Sequence, residues 1–361
     1  MKVIDSKLLF YNAIPMPHSI KLHEALVKNG YQVSFWYYKD LTSLYPWRSL
    51  NTNLDYQVYG TKKGMLLKLI RQTLASDLVI ITGWHTKIHV LLALICFFGR
   101  IRYAYWLDVP EDPESGIKKL TKRILLRMAD YLFVTGHEGI RRISSWSKVK
   151  PAKFKDFPYL SADVDEAAVA EINRSRVLSL QKGGEIRVLI SNRFEKRKGY
   201  QCLYDALREL DHDCLKKLRL TIIGSGTEYE KYKMLFNSLD IAPKFEHWVE
   251  YEKYLQLIRE TDVLIHPSIH EPFGIPPVDA MANGKLTIAS DGVMSVIDRI
   301  NNGRNGFLFK ANNASALADI LKSICADPKM VYDLGRKAFI DSRQFQTDYN
   351  LATIRDVLNR R

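Results

Sequence analysis

The stretch at residues 270–284 reads HEPFGIPPVDAMANG and holds two carboxylates eight positions apart, Glu271 and Asp279. Between them lie Gly274, Pro276 and Pro277. Proline suits the first turn of a helix, where backbone N–H groups have no intrahelical partner. The N–H groups around Phe273, Gly274 and Ile275 then remain open to an anion at the positive end of the helix. Gly274 lets the backbone approach a ligand closely. Glu271 and Asp279 are acceptor-only groups suited to hydroxyls. A ligand with hydroxyls at both ends and a diphosphate between them, such as a nucleotide sugar, matches this set. A capped helix carrying two surface acids is the plainer alternative.

A second stretch, RVLISNRFEKRKGYQCLYDAL, reads as a strand, a basic loop and a helix. Arg193 and Lys198 stand at opposite ends of the loop and can converge on a diphosphate, one as a planar fork and the other as a point charge. Lys196 and Arg197, between them, are expected to point into solvent.

These residues need elements to position them. The runs KLLFYNAI, YQVSFWYY, DLVIITG, IRYAYWLD and DYLFVTG read as buried strands, with apolar helices between them. EIRVLISNR, LRLTIIGSG, FEHWVE, VLIHPS and KLTIAS repeat the plan. Strands alternating with helices imply parallel sheets, and ligands bind beyond the carboxyl ends of such strands. HEPFG leaves the end of VLIHPS, which is that position. The helix SIKLHEALVKNG is expected to be capped by Ser19 and ended by Gly30. The polar stretch 161–184 ends in Gly-Gly and reads as the boundary. The expected organisation is an N-terminal Rossmann-like domain at 1–165, a linker at 166–184, a C-terminal one at 185–340, and a closing helix at 341–361. The fold class is α/β, two doubly wound Rossmann-like domains facing a central cleft.

Charge is unevenly spread. Residues 1–160 hold 24 Lys/Arg against 12 Asp/Glu, while the remainder holds 29 against 28. A basic half can attract nucleic acid, an anionic membrane or a phosphorylated ligand. The segments TKKGMLLKLIRQTL and SGIKKLTKRILLRMAD mix cations with apolar residues, the second setting Ile117, Leu120, Ile124 and Met128 on one stripe. Such faces can rest on anionic lipid. Ordinary sheet-covering helices are the alternative for either segment alone. Nucleic acid is not expected, because no aromatic-plus-basic recognition motif accompanies the charge. The start MKVIDSKLLFYNAIP reads as a first strand and not a signal peptide, and the apolar run 89–98 is too short to span a bilayer. Cys96, Cys202, Cys214 and Cys325 show no metal or redox spacing and are expected as reduced thiols.

The combination of NRFEKRKG, TIIGSGTEYE, VLIHPSIHEPFGIPPVDAMANG and NGRNGFLF resembles family-4 retaining glycosyltransferases of the GT-B fold, over about residues 185–310. KDFPYLSADVD and the tail FQTDYNLATIRDVLNRR resemble the segments by which such enzymes leave the first domain and return to it. The resemblance implies that Arg193 and Lys198 hold the donor diphosphate. It gives Glu271, with the backbone of Phe273, Gly274 and Ile275, to the transferred sugar and phosphate. Asp279 stands where the family carries a ribose-binding glutamate, one methylene longer. The histidine that many relatives hold against the donor sugar is missing from YAYWLDVPED, where Asp108 is the nearest ionisable group and the candidate catalytic partner of Glu271. His18, His85 and His137 follow N-terminal strands and are candidate donor or acceptor contacts, with Asn12 behind them. Asp163 and Asp165 are expected to be structural, with no essential metal and no cofactor, the nucleotide sugar being substrate. Gly224-Ser225-Gly226 lacks the third glycine of a dinucleotide fingerprint and reads as a tight turn near the donor.

The function implied is transfer of a hexose from a nucleotide-diphosphate sugar, with retention and without metal, to a glycan or lipid-pyrophosphate-linked acceptor in bacterial surface-polysaccharide assembly (O-antigen, capsule or exopolysaccharide). The expected location is cytoplasmic, peripheral on the inner face of the cell membrane. A sugar-nucleotide epimerase of the same fold is the alternative, and a non-enzymatic nucleic-acid binder a more distant one.

Overall fold

The apolar runs form strands of two sheets, and every ladder between them is parallel. The computed structural model describes residues 6–39, 56–59, 64–84, 86–108, 116–159, 164–241, 243–345 and 347–360. The chain divides into a first unit, Met1–Leu160 with Phe345–Arg361, and a second, Ser161–Gln344.

In the first unit the chain runs β1 (Lys7–Asn12), α1 (Pro17–Lys28), β2 (Gln32–Tyr37), β3 (Tyr56–Val58), α2 (Met65–Leu74), β4 (Leu78–Thr82) and α3 (Lys87–Gly99). It continues with β5 (Tyr103–Leu107), α4 (Ile117–Met128), β6 (Tyr131–Val134), α5 (His137–Ser147) and β7 (Phe154–Asp156). The second unit holds α6 (Glu166–Gln181), β8 (Ile186–Ser191), α7 (Tyr200–Arg208), α8 (His212–Lys217), β9 (Leu218–Ile223), α9 (Tyr229–Asn237), β10 (Lys244–Glu246) and α10 (Tyr251–Glu260). Then come β11 (Val263–His266), α11 (Ile275–Ala282), β12 (Leu286–Ser290), α12 (Met294–Ile297), β13 (Phe307–Phe309), α13 (Ala314–Ala326) and α14 (Lys329–Ser342). The last helix, α15 (Thr347–Asn359), belongs to the first unit.

The strand orders are β3-β2-β1-β4-β5-β6-β7 and β10-β9-β8-β11-β12-β13. Each order reverses once, between β1 and β4 in the first sheet and between β8 and β11 in the second. The connections diverge there, leaving a crevice beyond the strand carboxyl ends. Alternate residues of a strand face opposite sides of its sheet. Ile186, Val188 and Ile190 accordingly join one core, while Leu189 joins another. In the first sheet, α2, α3, α4 and α5 cover one side, and α1 and α15 the other.

The structure adds β3, β7 and β13, each three residues long and too short to stand out in the sequence. It also moves the cap of α1. Pro17 opens that helix, so Met16 is the N-cap and Ser19 lies one turn inside. The Ser19 hydroxyl accepts from Met16 N at 3.2 Å and donates to the Met16 carbonyl at 2.8 Å. Cys214 and Cys325 are not reduced thiols but a disulfide joining α8 to α13 across 111 residues. Only the fold brings their Cα atoms to 5.5 Å, so no local spacing announces the pair. Cys96 and Cys202 are buried thiols.

Residues 166–184, expected as a linker, hold α6 and count with the second unit. A buried ion pair explains this. Arg176 Nε and Nη2 donate to Asp262 Oδ1 and Oδ2 at 3.0 and 2.7 Å. Asp262, at the start of β11, also accepts from Arg187 N at 2.8 Å and from the Tyr332 hydroxyl at 3.0 Å. The final segment is tied to the first unit by part-exposed contacts. Lys155 Nζ donates to Asp356 Oδ2 at 2.8 Å and the Tyr349 hydroxyl to Asp156 Oδ2 at 3.0 Å. Leu351, Ile354 and Val357 complete the core around Leu22 and Leu26. Among the described residues no helix is long and apolar enough to cross a membrane.

Removing one partner of a buried, multiply bonded pair strands a charge in the interior. Arg176→Ala is therefore expected to cost about 3–5 kcal/mol in urea unfolding. A loss below about 1 kcal/mol, the range of exposed pairs, would show that α6 is not held by this contact.

Candidate functional site

In the second unit the two strands beside the order reversal, β8 and β11, deliver the polar residues. After Ser191 the chain enters the basic loop, where Asn192 Nδ2 donates to Ser268 Oγ at 2.9 Å, linking it to the loop after β11. Phe194 is buried and stacked on Tyr200 at 4.2 Å. The loop ends in a 3₁₀ turn, Lys196–Lys198, followed by Gly199 at φ 72°. A Cβ on Gly199 would lie 1.9 Å from the Pro267 carbonyl oxygen, so only glycine fits between these loops. That fit carries Lys198 inward, to 5% exposure, and its Nζ donates to Glu271 Oε2.

Glu271 is pinned by its backbone. Its N–H donates to the Gly292 carbonyl at 2.9 Å, and its own carbonyl accepts from Met294 N at 3.1 Å. His266, the buried last residue of β11, sets Nε2 3.8 Å from Glu271 Oε2, and Arg197 sets Nη1 3.9 Å from Oε1. Burial pushes the Glu271 carboxyl up, but His266 and Lys198 outweigh it and hold the group at about 2. Burial lowers Lys198, opposed by Glu271, and it lowers His266, keeping that imidazole neutral near pH 7. The centre is thus a carboxylate with a buried ammonium on it.

The helix after this loop begins as its prolines require. Gly274 is the N-cap of α11, and Pro276 and Pro277 carry no N–H. The N–H groups of Gly274 and Ile275 are the donors this end offers. Ser295 N donates to the Phe273 carbonyl at 2.9 Å and Ser295 Oγ to the Gly274 carbonyl at 2.8 Å, fixing the turn. The Arg299 guanidinium lies 5.4 Å from the Phe273 ring centre. The turn Gly224-Ser225-Gly226 packs below, where the Ser225 carbonyl accepts from Phe194 N at 3.0 Å.

The structure therefore joins Lys198 and Glu271 and adds His266, which is indistinguishable in the sequence from any buried strand residue. Arg193 sets Nη1 3.4 Å from Glu195 Oε1 of the same loop. Lys196 is exposed as expected. Arg197 is exposed too, but it is not simply solvated: it donates to the His270 carbonyl at 3.3 Å and faces Glu271. Asp279 sits one turn inside α11 at 1% exposure, its Oδ2 accepting from the Tyr254 hydroxyl at 2.8 Å.

In the first unit the candidates follow the strand ends. Asp108 leaves β5, is exposed, and accepts a hydrogen bond from the hydroxyl of the half-buried Tyr159. The Tyr159 ring lies 4.0 Å from the His18 ring and 5.1 Å from Trp106. Tyr159 therefore links Asp108 to His18, although nothing in KDFPYLSADVD marks it for that place. Burial lowers the His18 imidazole to about 3. Asn12 is buried at the end of β1, and among the described residues its Nδ2 has no hydrogen-bond partner. His137 is exposed at the first position of α5, and His85 lies outside the described residues. Asp165 accepts from Ala167 N at 2.9 Å as the N-cap of α6, whereas Asp163 also lies outside the described residues. Among the described residues no three His, Cys, Asp or Glu groups gather as metal ligands would.

Residues 172–340, just under half of the chain, match the family described as Glycosyl transferases group 1. A D-inositol 3-phosphate glycosyltransferase from an Arthrobacter species is 30% identical over 179 residues, 48% of this chain and 42% of the relative. A phosphatidyl-myo-inositol mannosyltransferase from Mycobacterium leprae is 34% identical over 140 residues, 38% of this chain and 36% of the relative. The chain thus spans less than half the length of these curated relatives. Alr3699/HepE from Anabaena, solved in complex with UDP-glucose, has a TM-score of 0.74 at 18% identity, covering 98% of this chain and 99% of that one. The fold is GT-B, with two Rossmann-like units, and the similarity to glycosyl transferases group 1 falls on residues 172–340, within the second unit.

The folded pKa of His18 is depressed from the ordinary value of 6.5 to about 3. The unfolded chain then takes up the proton first, so stability present above pH 6.5 is lost as the pH falls toward 3. His18→Gln is expected to flatten the acid limb of the stability curve, by on the order of 2 kcal/mol at its lower end. Parallel acid limbs for the two proteins in urea unfolding at stepped pH would refute the assignment.

Proposed function

We propose that the chain is a retaining glycosyltransferase moving a hexose from a nucleotide-diphosphate sugar to a glycan or lipid-linked acceptor. The observation that carries this reading is the buried Lys198–Glu271 pair at the order reversal of the second sheet. An ammonium this deep, beside the N–H groups of a proline-led helix, suits a diphosphate. Glu271 stays ionised, since its carboxyl is held at about 2. It suits the hydroxyls of the transferred sugar. An arriving diphosphate takes over Lys198 and releases a Glu271 oxygen for those hydroxyls. Arg193 and Arg197 add charge from the same loop.

In the proposed step the bond from the anomeric carbon to the diphosphate oxygen breaks. The acceptor oxygen bonds that carbon on the same face and gives its proton to a donor phosphate oxygen. Lys198 and the α11 N–H groups stabilise the charge gathering on the leaving group. The step uses no metal and no protein nucleophile. Asp108, with Tyr159 and His18, is assigned to orient sugar or acceptor in the first unit. Asp279 enters on the resemblance alone, because its carboxylate is buried against Tyr254.

The relatives support this reading: one structural neighbour was solved with UDP-glucose, and two relatives matched over part of their length are named for sugar transfer to inositol-bearing acceptors. A phosphatidylinositol-type acceptor also agrees with a lipid-linked substrate and with peripheral attachment of the basic first unit to the inner face of the cell membrane. The resemblance of the site loops to family-4 enzymes supports a role in surface-polysaccharide assembly.

Thermal unfolding with UDP-, GDP-, dTDP- and CMP-sugars in the presence of EDTA tests the donor site. One nucleotide class is expected to raise the midpoint, binding at a hundredfold excess over Kd being worth about 2.7 kcal/mol. Lys198→Ala and Glu271→Ala should lose most of that gain. No response to any nucleotide sugar would overturn the reading. A new sugar isomer formed from donor alone would reassign the site to epimerisation.

A further inference from the structure

A sheet-covering helix needs one apolar stripe for the core, and α4 has two. Leu125 and Leu126 are buried in the sheet core, whereas Ile117, Leu120 and Ile124 are exposed, Ile117 to 83%. The same surplus appears on its neighbours. α3 buries Leu92, Ala93 and Cys96 but leaves Phe98 77% exposed at its C-terminal end. α2 buries Leu69 and exposes Leu67 and Leu74. These helices pack side by side, α2 on α3 and α3 on α4, over one side of the first sheet. Of the twelve large apolar side chains exposed among the described residues, eight lie on these three helices.

The charge of the same helices is equally one-sided. Together α2, α3 and α4 carry eight Lys and Arg residues and no Asp or Glu. Lys122 lies 5.5 Å over the Trp84 ring, and Arg123 donates to the Trp146 carbonyl, so these two also brace the helix layer. Lys118 and Arg127 are exposed on α4 beside the apolar residues.

Exposed apolar bulk within a field of one sign restricts the partner. A second copy of this face would set like charges together. Nucleic acid would answer the cations and leave the isoleucine, leucine and phenylalanine side chains in water. An anionic bilayer answers both, with headgroups for the cations and the acyl boundary for the apolar side chains. We infer that the outer face of α2, α3 and α4 is the surface by which the first unit lies on anionic lipid, with Phe98 and the Ile117–Leu120–Ile124 stripe entering the interface. The inference rests on the membrane attachment proposed above and assigns the face that makes it.

The test is co-sedimentation of the full chain with vesicles of phosphatidylcholine alone, or of phosphatidylcholine mixed with phosphatidylglycerol. Wild type should partition to the mixed vesicles. Phe98→Ser with Leu120→Ser should weaken that partition by about tenfold or more, and Lys118→Glu with Arg127→Glu should weaken it most at low salt. Met234→Ser with Ile340→Ser, exposed apolar positions of the second unit, should leave it unchanged. All these residues lie at the surface, and the nucleotide-sugar response of each variant reports that it is folded. If wild type binds and the α3/α4 variants bind equally well, membrane attachment stands and this face is wrong. If wild type binds neither vesicle, both fall, while the donor reading is untouched. Tighter binding to double-stranded RNA than to mixed vesicles, or a solution dimer abolished by Phe98→Ser with Leu120→Ser, would overturn the lipid assignment in favour of that partner.

Discussion

The ion pair between Lys198 and Glu271 joins the two loops on which the candidate donor site is built. Desolvating an ammonium and a carboxylate is costly, and a pair at this depth survives only where geometry and further partners offset the cost. Here the backbone supplies the geometry. The loop after β8 passes so close to Pro267 that only Gly199 fits, and the Glu271 backbone is bonded to Gly292 and Met294. The backbone contacts of both loops fix the point where their charges meet. A second anion entering such a site finds an ammonium already stripped of water, and so does not bear the full cost of desolvating it.

Topology decides where that pair can form. In both sheets the strand order reverses once, and the polar residues gather beyond the strands that flank or follow the reversal. Asn192 and Lys198 follow β8, while His266 and Glu271 come from β11. In the first unit Asn12 ends β1, His18 lies in the first turn of α1 after it, and Asp108 follows β5. Parallel strands buried on both faces are nearly all apolar, so polar chemistry is confined to their ends. The disulfide between α8 and α13 and the Arg176–Asp262 pair keep the surrounding helices in place, far along the chain from the residues they serve.

The two units divide their surface charge differently. The second balances cations with acids, and the central charges of its site, Lys198 and Glu271, are internal and paired. The first carries its surplus on helices whose inner faces are already satisfied by the core. Apolar bulk and a single sign of charge, beyond what the core contacts of these helices use, are the marks of an interaction surface.

What the sequence by itself determined is the alternation of strand and helix, hence parallel sheets, and the loop chemistry of residues 193–198 and 270–279. Both are local: strand burial is written in runs such as VLIHPS, and the turn before α11 in its glycine and two prolines. The start of α1 shows how narrow that legibility is, since Pro17 displaced the cap from Ser19 to Met16. Tertiary structure alone decided the pairings. It closed Lys198 onto Glu271, set His266 beside them, turned Asp279 toward Tyr254, and brought Tyr159 between Asp108 and His18. It also made a polar stretch, expected as a linker, into a helix anchored by Asp262, and two distant cysteines into a disulfide. All but the approach of His266 to Glu271, five positions apart, depend on residues tens of positions apart meeting across a sheet or between helices. A single chain read in order carries the propensity of each segment but not the distance between them.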